Sequence, residues 1–179
     1  VIGTVARVCT EAAWDCVIVT GDRDSLQLVG DRVTVKLVIT KSGQTTSTNY
    51  TPQLFQAEYG FAPPILVDLK ALMGDHSDNI PGVAGVGPKS ATELLLRFGT
   101  LAGVYENLQD DAIRPKLREK LEAGREMAFL SYELATIRTD APIVFVPEAC
   151  RCQEPDRAAL CELFARLEFV KLMARYDLH

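Results

Sequence analysis

The stretch Cys16-Val17-Ile18-Val19-Thr20-Gly21-Asp22-Arg23-Asp24 sets the fold class. Its first five residues form an apolar, β-branched run, the pattern of a strand buried in a helix-flanked parallel sheet. The run stops at a glycine followed by two aspartates, at the carboxyl end of the strand, where open α/β sheets usually bind ligands. In extended chain, side chains two apart share a side, so Asp22 and Asp24 converge on one hard cation such as Mg²⁺. The competing reading makes Asp22 the N-cap of a helix that begins near Ser25.

Upstream, Val1, Ile2, Val5, Val8 and Ala12 already follow a helical stripe at the first residue, the mark of a fragment that starts inside a helix. Downstream, the partly alternating Val33–Thr40, then Ser42-Gly43 and a threonine-rich stretch to Tyr50, predict an antiparallel hairpin at a sheet edge. Thr51-Pro52 marks a helix start, with Thr as cap and Pro at the first helical position. From there the pattern is helical: Pro64 to Met73, stopped by Gly74, and Pro88 to Phe98, stopped by Gly99. Thr100 caps a helix to Leu108, and Pro115 opens another. After a break between Pro142 and Pro155, a final helix runs from Asp156 to Tyr176 on Leu160, Leu163, Phe164, Leu167 and Leu172.

The 179 residues, 47% apolar and 24% charged, fit one ordinary domain with a packed core. No run is long and apolar enough to span a bilayer and no secretory signal is present, which points away from membranes and toward the cytoplasm. The five cysteines have no CxxC pair and no neighbouring His, so neither a disulfide framework nor a zinc site is expected. A net charge of -5 repels nucleic acid overall, so any such partner must be held by local features.

Two local features qualify. Gly74-Asp75-His76-Ser77-Asp78-Asn79 places two carboxylates three apart, on one face of a helical turn. It is not an EF-hand, since Ile80 stands where Gly is required and Val86 where the bidentate Glu is required. An N-cap or Asx-turn is the bland alternative for this pair. His76 reads as an exposed loop residue, and His179 is terminal.

Next comes Pro81-Gly82-Val83-Ala84-Gly85-Val86-Gly87-Pro88-Lys89-Ser90, a glycine turn leading straight into a helix. It fails the Walker test because Pro88 replaces the required Lys. What remains is a turn and a helix N-terminus with exposed N–H groups and Lys89 in the first turn, which binds phosphate without reading bases. A tight turn between packed helices is the alternative. Metal-dependent cleavage of a nucleic-acid phosphodiester is the chemistry that uses both acidic pairs together with a backbone clamp.

The strings VIVTGDRDSLQLV, LKALMGDHSDNIPGVAGVGPKSATELL and SYELATIRTDAPI resemble the 5′-nuclease domain of bacterial DNA polymerase I, in the flap endonuclease superfamily. The resemblance runs from Val1 to His179. It implies the α/β fold class as the C-terminal part of a PIN-like 5′-nuclease, a short parallel sheet with flanking helices and a helix-three-turn-helix DNA-binding motif. Residues 1–62 would end the nuclease core, residues 63–140 would carry the clamp, and residues 141–179 would pack a strand and helix on the core as one domain.

Carried over by motif, Asp22, Asp24, Asp75 and Asp78 would be catalytic metal-site carboxylates for two Mg²⁺ (or Mn²⁺) ions. Gly82, Val83, Gly85, Val86, Gly87, Lys89 and Ser90 would grip the duplex backbone, with K⁺ as a possible ion in the turn. The implied activity is 5′-3′ exonuclease and 5′-flap endonuclease action in replication and repair. Its partners would be 5′-flap, nicked or junction DNA and RNA primers on DNA, met by a monomer continuous with polymerase domains. Further carboxylates in this family come from a segment that would precede Val1, so the chain alone is expected to bind DNA and to cleave it slowly or not at all. Two other functions are compatible with parts of the sequence: a non-catalytic DNA-binding module, and a Mg²⁺ phosphohydrolase using Asp22-x-Asp24. The cations Arg114, Lys116, Arg118, Lys120 and Arg125 have two readings, contact with DNA beyond the clamp or a solvated helix with i,i+4 pairs, and the acids interleaved with them favour the second.

Overall fold

Alternation along Val33–Lys41 (β2) buries Val33, Val35 and Leu37 on one face and leaves Thr34, Lys36 and Val38 half-exposed on the other. In the computed structural model, which describes residues 1–178 and leaves His179 outside them, β2 is the middle of three strands. Cys16–Thr20 (β1) lies parallel to it, in register from Cys16↔Val33 to Thr20↔Leu37. Gln44–Tyr50 (β3) lies antiparallel on the other side, from Lys41↔Gln44 to Val35↔Tyr50. The hairpin closes at Ser42 and Gly43, whose φ values of 51° and 79° are the pair of positive angles that a two-residue turn uses to match strand twist.

β1 corrects one expectation. Ile18 is buried, but Val17 and Val19 are 62% and 65% exposed, so only one face of the strand is covered by described residues. An apolar run reads the same whether one face or both are packed, because β-branched residues favour strands in either setting.

The helices start where backbone chemistry allows. Ile2–Glu11 (α1) precedes the sheet, and Pro52–Tyr59 (α2) follows it, with the Thr51 hydroxyl accepting the Leu54 N–H at 3.3 Å. A 3₁₀ turn, Pro63–Ile65, leads into Leu66–Met73 (α3); then come Pro88–Phe98 (α4), Leu101–Glu106 (α5), Pro115–Ala123 (α6) and Arg125–Ala135 (α7). Proline opens α2, α4 and α6, where its missing N–H has no helical partner to lose. The core is built on Leu26, Phe55, Leu72, Leu95, Leu101, Val104 and Leu121. Each such side chain contributes about 1.5–3 kcal/mol by burial.

Helix α3 is enclosed by α4, α5 and α7, so its two charged residues, Asp68 and Lys70, are buried as well. Asp68 is satisfied by the Leu101 N–H at 2.7 Å, capping the start of α5 across the core. Burial pushes the Asp68 carboxyl up, against the Leu101 hydrogen bond that pulls it down.

The chain divides into two compact units, the first spanning Val1–Phe145 and the second beginning at Val146. In the second, Pro147–Cys150 forms a 3₁₀ turn, and the expected long final helix is two: Arg157–Arg166 (α8) and Val170–Arg175 (α9). Residues 141–155 hold no strand. The helix breaks at Glu168, where φ is 57°, and folding back there brings Phe169 and Tyr176 against Phe164 at ring separations of 6.1 Å each. Aromatic packing thus outweighs continuation of the helical stripe. Among the described residues no helix is long and apolar enough to cross a membrane.

Candidate metal centre and nucleic-acid interface

At the carboxyl end of β1 the chain turns instead of staying extended. Thr20 Oγ1 accepts the Asp22 N–H at 3.0 Å, and Asp22 Oδ1 accepts the Asp24 N–H at 2.8 Å, starting a 3₁₀ turn over Arg23–Leu28. Asp22 therefore acts here as an N-cap, and the same-side geometry of an extended Asp-x-Asp is absent. The turn carries Asp24 inward, toward the end of α3.

The second acidic motif is held by a small frame. Asp75 and Ile80 exchange both backbone hydrogen bonds at 2.9 Å, closing a loop over residues 76–79. Within it, Asp75 Oδ1 accepts the Ser77 N–H at 2.9 Å and the Ser77 hydroxyl at 2.5 Å. His76 is exposed on the loop.

The result is that Asp24, Asp75 and Asp78 offer carboxylate oxygens all within 4.8 Å of one another. They line a cavity of about 390 Å³ that Asp22 also borders. Lys70 completes the cluster: its Nζ donates to Asp24 Oδ1 and, at 2.7 Å, to Asp75 Oδ2. Sequence reasoning missed Lys70. The available signal was a lysine in the middle of the mostly apolar segment Leu66–Met73, five residues before Asp75, since a lysine is rarely buried unless paired.

Charge accounting fits a hard divalent cation. Three carboxylates face one ammonium, which leaves two negative charges uncompensated in a small space, and the donors are all oxygens, as Mg²⁺ prefers. Burial pushes the Asp24 carboxyl above its usual range, and nearby Asp78 adds to this, while Lys70 opposes both. For Asp75 the Lys70 and Ser77 hydrogen bonds dominate, holding it at about 2. Burial lowers Lys70, but its two carboxylate partners outweigh that and leave it above the ordinary lysine value, so it is fully charged near neutrality.

The glycine turn is locked to this centre. Gly82 has φ of 63°, and a Cβ there would lie 2.2 Å from the Gly74 nitrogen, so the two glycines sit back to back. The Gly82 N–H donates to the buried Ser131 hydroxyl on α7 at 2.9 Å, and the Val83 N–H to the Leu72 carbonyl at 2.9 Å. Val83 and Val86 point into the core, being only 2% and 4% exposed, so they anchor the turn. Gly85, Gly87 and Lys89 are at the surface and Ser90 is half-buried. No side chain caps α4, so the N–H groups of Lys89 and Ser90 in its first turn have no helical acceptor and face outward. That is the backbone arrangement which accepts an anion.

DNA polymerase I of Caldicellulosiruptor bescii is 44% identical over 178 residues, which is 99% of this chain but 21% of the relative. The chain thus spans about a fifth of the length of the curated relatives it matches. Among solved structures, the bacteriophage T5 flap endonuclease in a complex with DNA and metal ions superposes with a TM-score of 0.58 at 22% identity, over 74% of this chain and 48% of that one. The catalytic core of Rad2 in complex with DNA substrate gives 0.55 at 19% identity, over 90% and 55%. At these identities the likeness is one of fold. The profile described as "5′-3′ exonuclease, C-terminal SAM fold" matches residues 61–158, more than half of the sequence, and the chain belongs to that family.

Proposed function

We propose that the chain is the metal-binding and duplex-gripping part of a 5′-3′ exonuclease and 5′-flap endonuclease module of a DNA polymerase I. It would act as a monomer continuous with polymerase domains in the cytoplasm, on flap, nicked or junction DNA and on RNA primers. One observation carries the reading: Asp24, Asp75 and Asp78 converge within 4.8 Å on a frame that shares its glycines with the outward-facing turn. The relatives, DNA polymerases I matched over nearly all of this chain, support it.

Bound at the cluster, Mg²⁺ (or Mn²⁺) supplies Lewis-acid polarisation of a phosphoryl oxygen and a more acidic water. The chain's own residues do the rest. Asp24 and Asp75 are oriented by Lys70, and Asp75 is further fixed by Ser77. Asp22 shapes the loop that presents Asp24. The N–H groups at the start of α4, with Lys89, take a backbone phosphate, and carbonyls in the turn can take K⁺. Three carboxylates suit one ion, whereas a two-ion centre needs ligands from further sides, so cleavage by this chain is expected to be slow.

The test pairs two measurements. Titration with Mn²⁺ is expected to show binding that Asp75→Ala removes. A 5′-labelled flap duplex is expected to shift on a native gel in both Mg²⁺ and EDTA, with faint product in Mg²⁺ only. A chain that neither shifts the duplex nor binds Mn²⁺ refutes the proposal, and rapid cleavage refutes the one-ion account.

A further inference from the structure

A groove of about 570 Å³ opens between the glycine turn and the start of α6, with Gly85, Ser90, Arg114, Lys116 and Lys120 on its walls. No carboxylate lines it, although the chain carries a net charge of -5. The interleaved acids of α6 predicted cations neutralised by i,i+4 pairs, and the structure contradicts that. Among the described residues, no ion pair joins Arg114, Lys116 or Lys120 to an acid.

The five cations of this region sort by what they touch. Arg118 turns inward and donates to the carbonyls of Leu108, Asp110 and Ile113 at 2.6–3.3 Å. Arg125 lies over the Tyr105 ring, 5.3 Å from its centre. These two are structural. Lys120 instead reaches the turn: its Nζ donates to the Gly85 carbonyl at 2.9 Å, and its stem lies so close that a Cβ on Gly85 would be 2.7 Å from Nζ. Arg114 and Lys116 stand exposed on the same wall.

We infer that this groove is a second phosphate site, which holds the backbone of duplex DNA beside the site at the start of α4. The inference rests on the proposed DNA-binding function and adds where a further stretch of backbone lies. The occupant is a polyanion because three cations with no counter-charge line one wall. It is the phosphodiester backbone because the groove adjoins the start of α4, whose uncapped N–H groups are the proposed phosphate site, so one continuous strand can serve both. Contacts made to the phosphodiester backbone carry no sequence information, so binding here is independent of sequence.

The experiment is fluorescence anisotropy of a fluorescein-labelled duplex in EDTA across a salt series, with circular dichroism to confirm folding. Each phosphate contact contributes about 0.9 to the slope of log K against log salt, so the double variant Arg114→Ala/Lys116→Ala should lower the slope by about 1–2. Lys120→Met should lower it by about 1. Lys41→Ala, an exposed lysine on β2 outside the groove, should leave it unchanged. An unchanged slope in the groove variants with intact binding by the wild type overturns this inference alone. An equal fall in Lys41→Ala marks a general charge effect and also overturns it. Absence of wild-type binding overturns the DNA-binding function and the inference together.

Discussion

Lys70 Nζ lies 2.7 Å from Asp75 Oδ2 and also donates to Asp24, so one ammonium ties the loop after β1 to the loop after α3. The lysine side chain is only 7% exposed. A tethered cation therefore occupies part of the space where the carboxylates would otherwise repel one another, and a divalent ion would share Asp24 and Asp75 with Lys70.

Lys70→Met tests this. With the ammonium gone, the half-buried Asp24 and Asp75 and the exposed Asp78 face each other, and breaking a buried ion pair costs about 3 kcal/mol. Urea unfolding in EDTA should show that loss, and Mg²⁺ should restore much of it because the ion then balances the charge alone. Stability that is unchanged in EDTA would show that Lys70 does not hold the cluster.

The pH dependence follows from Asp75, which is depressed from the ordinary 3.8 to about 2 by Lys70 and Ser77. A carboxyl lowered by folding stabilises the fold above its unfolded value and loses that contribution as pH falls through the folded one. The stability gap between wild type and Asp75→Asn should thus be full above about pH 4 and close as pH drops toward 2. Lys70, raised by its partners, stays charged through this window. Urea midpoints between pH 2 and 6 measure the gap; a gap that does not vary with pH would remove Lys70 as its cause.

Gly82→Ala should be among the most damaging single substitutions. The new Cβ would need a positive φ and would meet Gly74 backbone at 2.2 Å, which cannot give way as a side chain can. A cost of at least about 3 kcal/mol is expected from strain and overpacking together. Thermal unfolding measures it, with Gly87→Ala, where a Cβ meets nothing within 4 Å, as the mild comparison.

Ser131→Ala removes the partner of the Gly82 N–H in the fully buried floor of the turn. Leaving that donor unsatisfied should cost about 1–3 kcal/mol. Hydrogen exchange at the Gly82 amide should accelerate by more than at Leu101, whose N–H is held by Asp68 elsewhere.

Much of this was legible because local chemistry decided it. Pro88 and Gly99 bracket α4, Thr51 and Gly60 bracket α2, and Ser42-Gly43 fixes the hairpin, each by backbone rules that act within a few residues. Two of the three clustered aspartates share a loop, and Asp24 follows a strand end, so their motifs were readable as well. Lys70 was not, because its value comes from Asp24, 46 positions away, and helical periodicity only says that such a lysine is out of place. The α6 cations failed for a similar reason: i,i+4 spacing permits pairs, but Arg118 found backbone carbonyls and Lys120 found Gly85. The break at Glu168 carries no Gly or Pro and depends on packing against Phe164.

The face of β1 that shows Val17 and Val19 has a consequence for handling the protein. β1 stands at one margin of a three-stranded sheet, and its segment Cys16–Thr20 is short, β-branched and uncharged. Such a strand can recruit another copy edge to edge, with the valines drying the contact. Concentrated stocks should therefore lose material to self-association before they lose secondary structure, and a lysine at position 17 or 19 should raise the concentration at which light scattering begins.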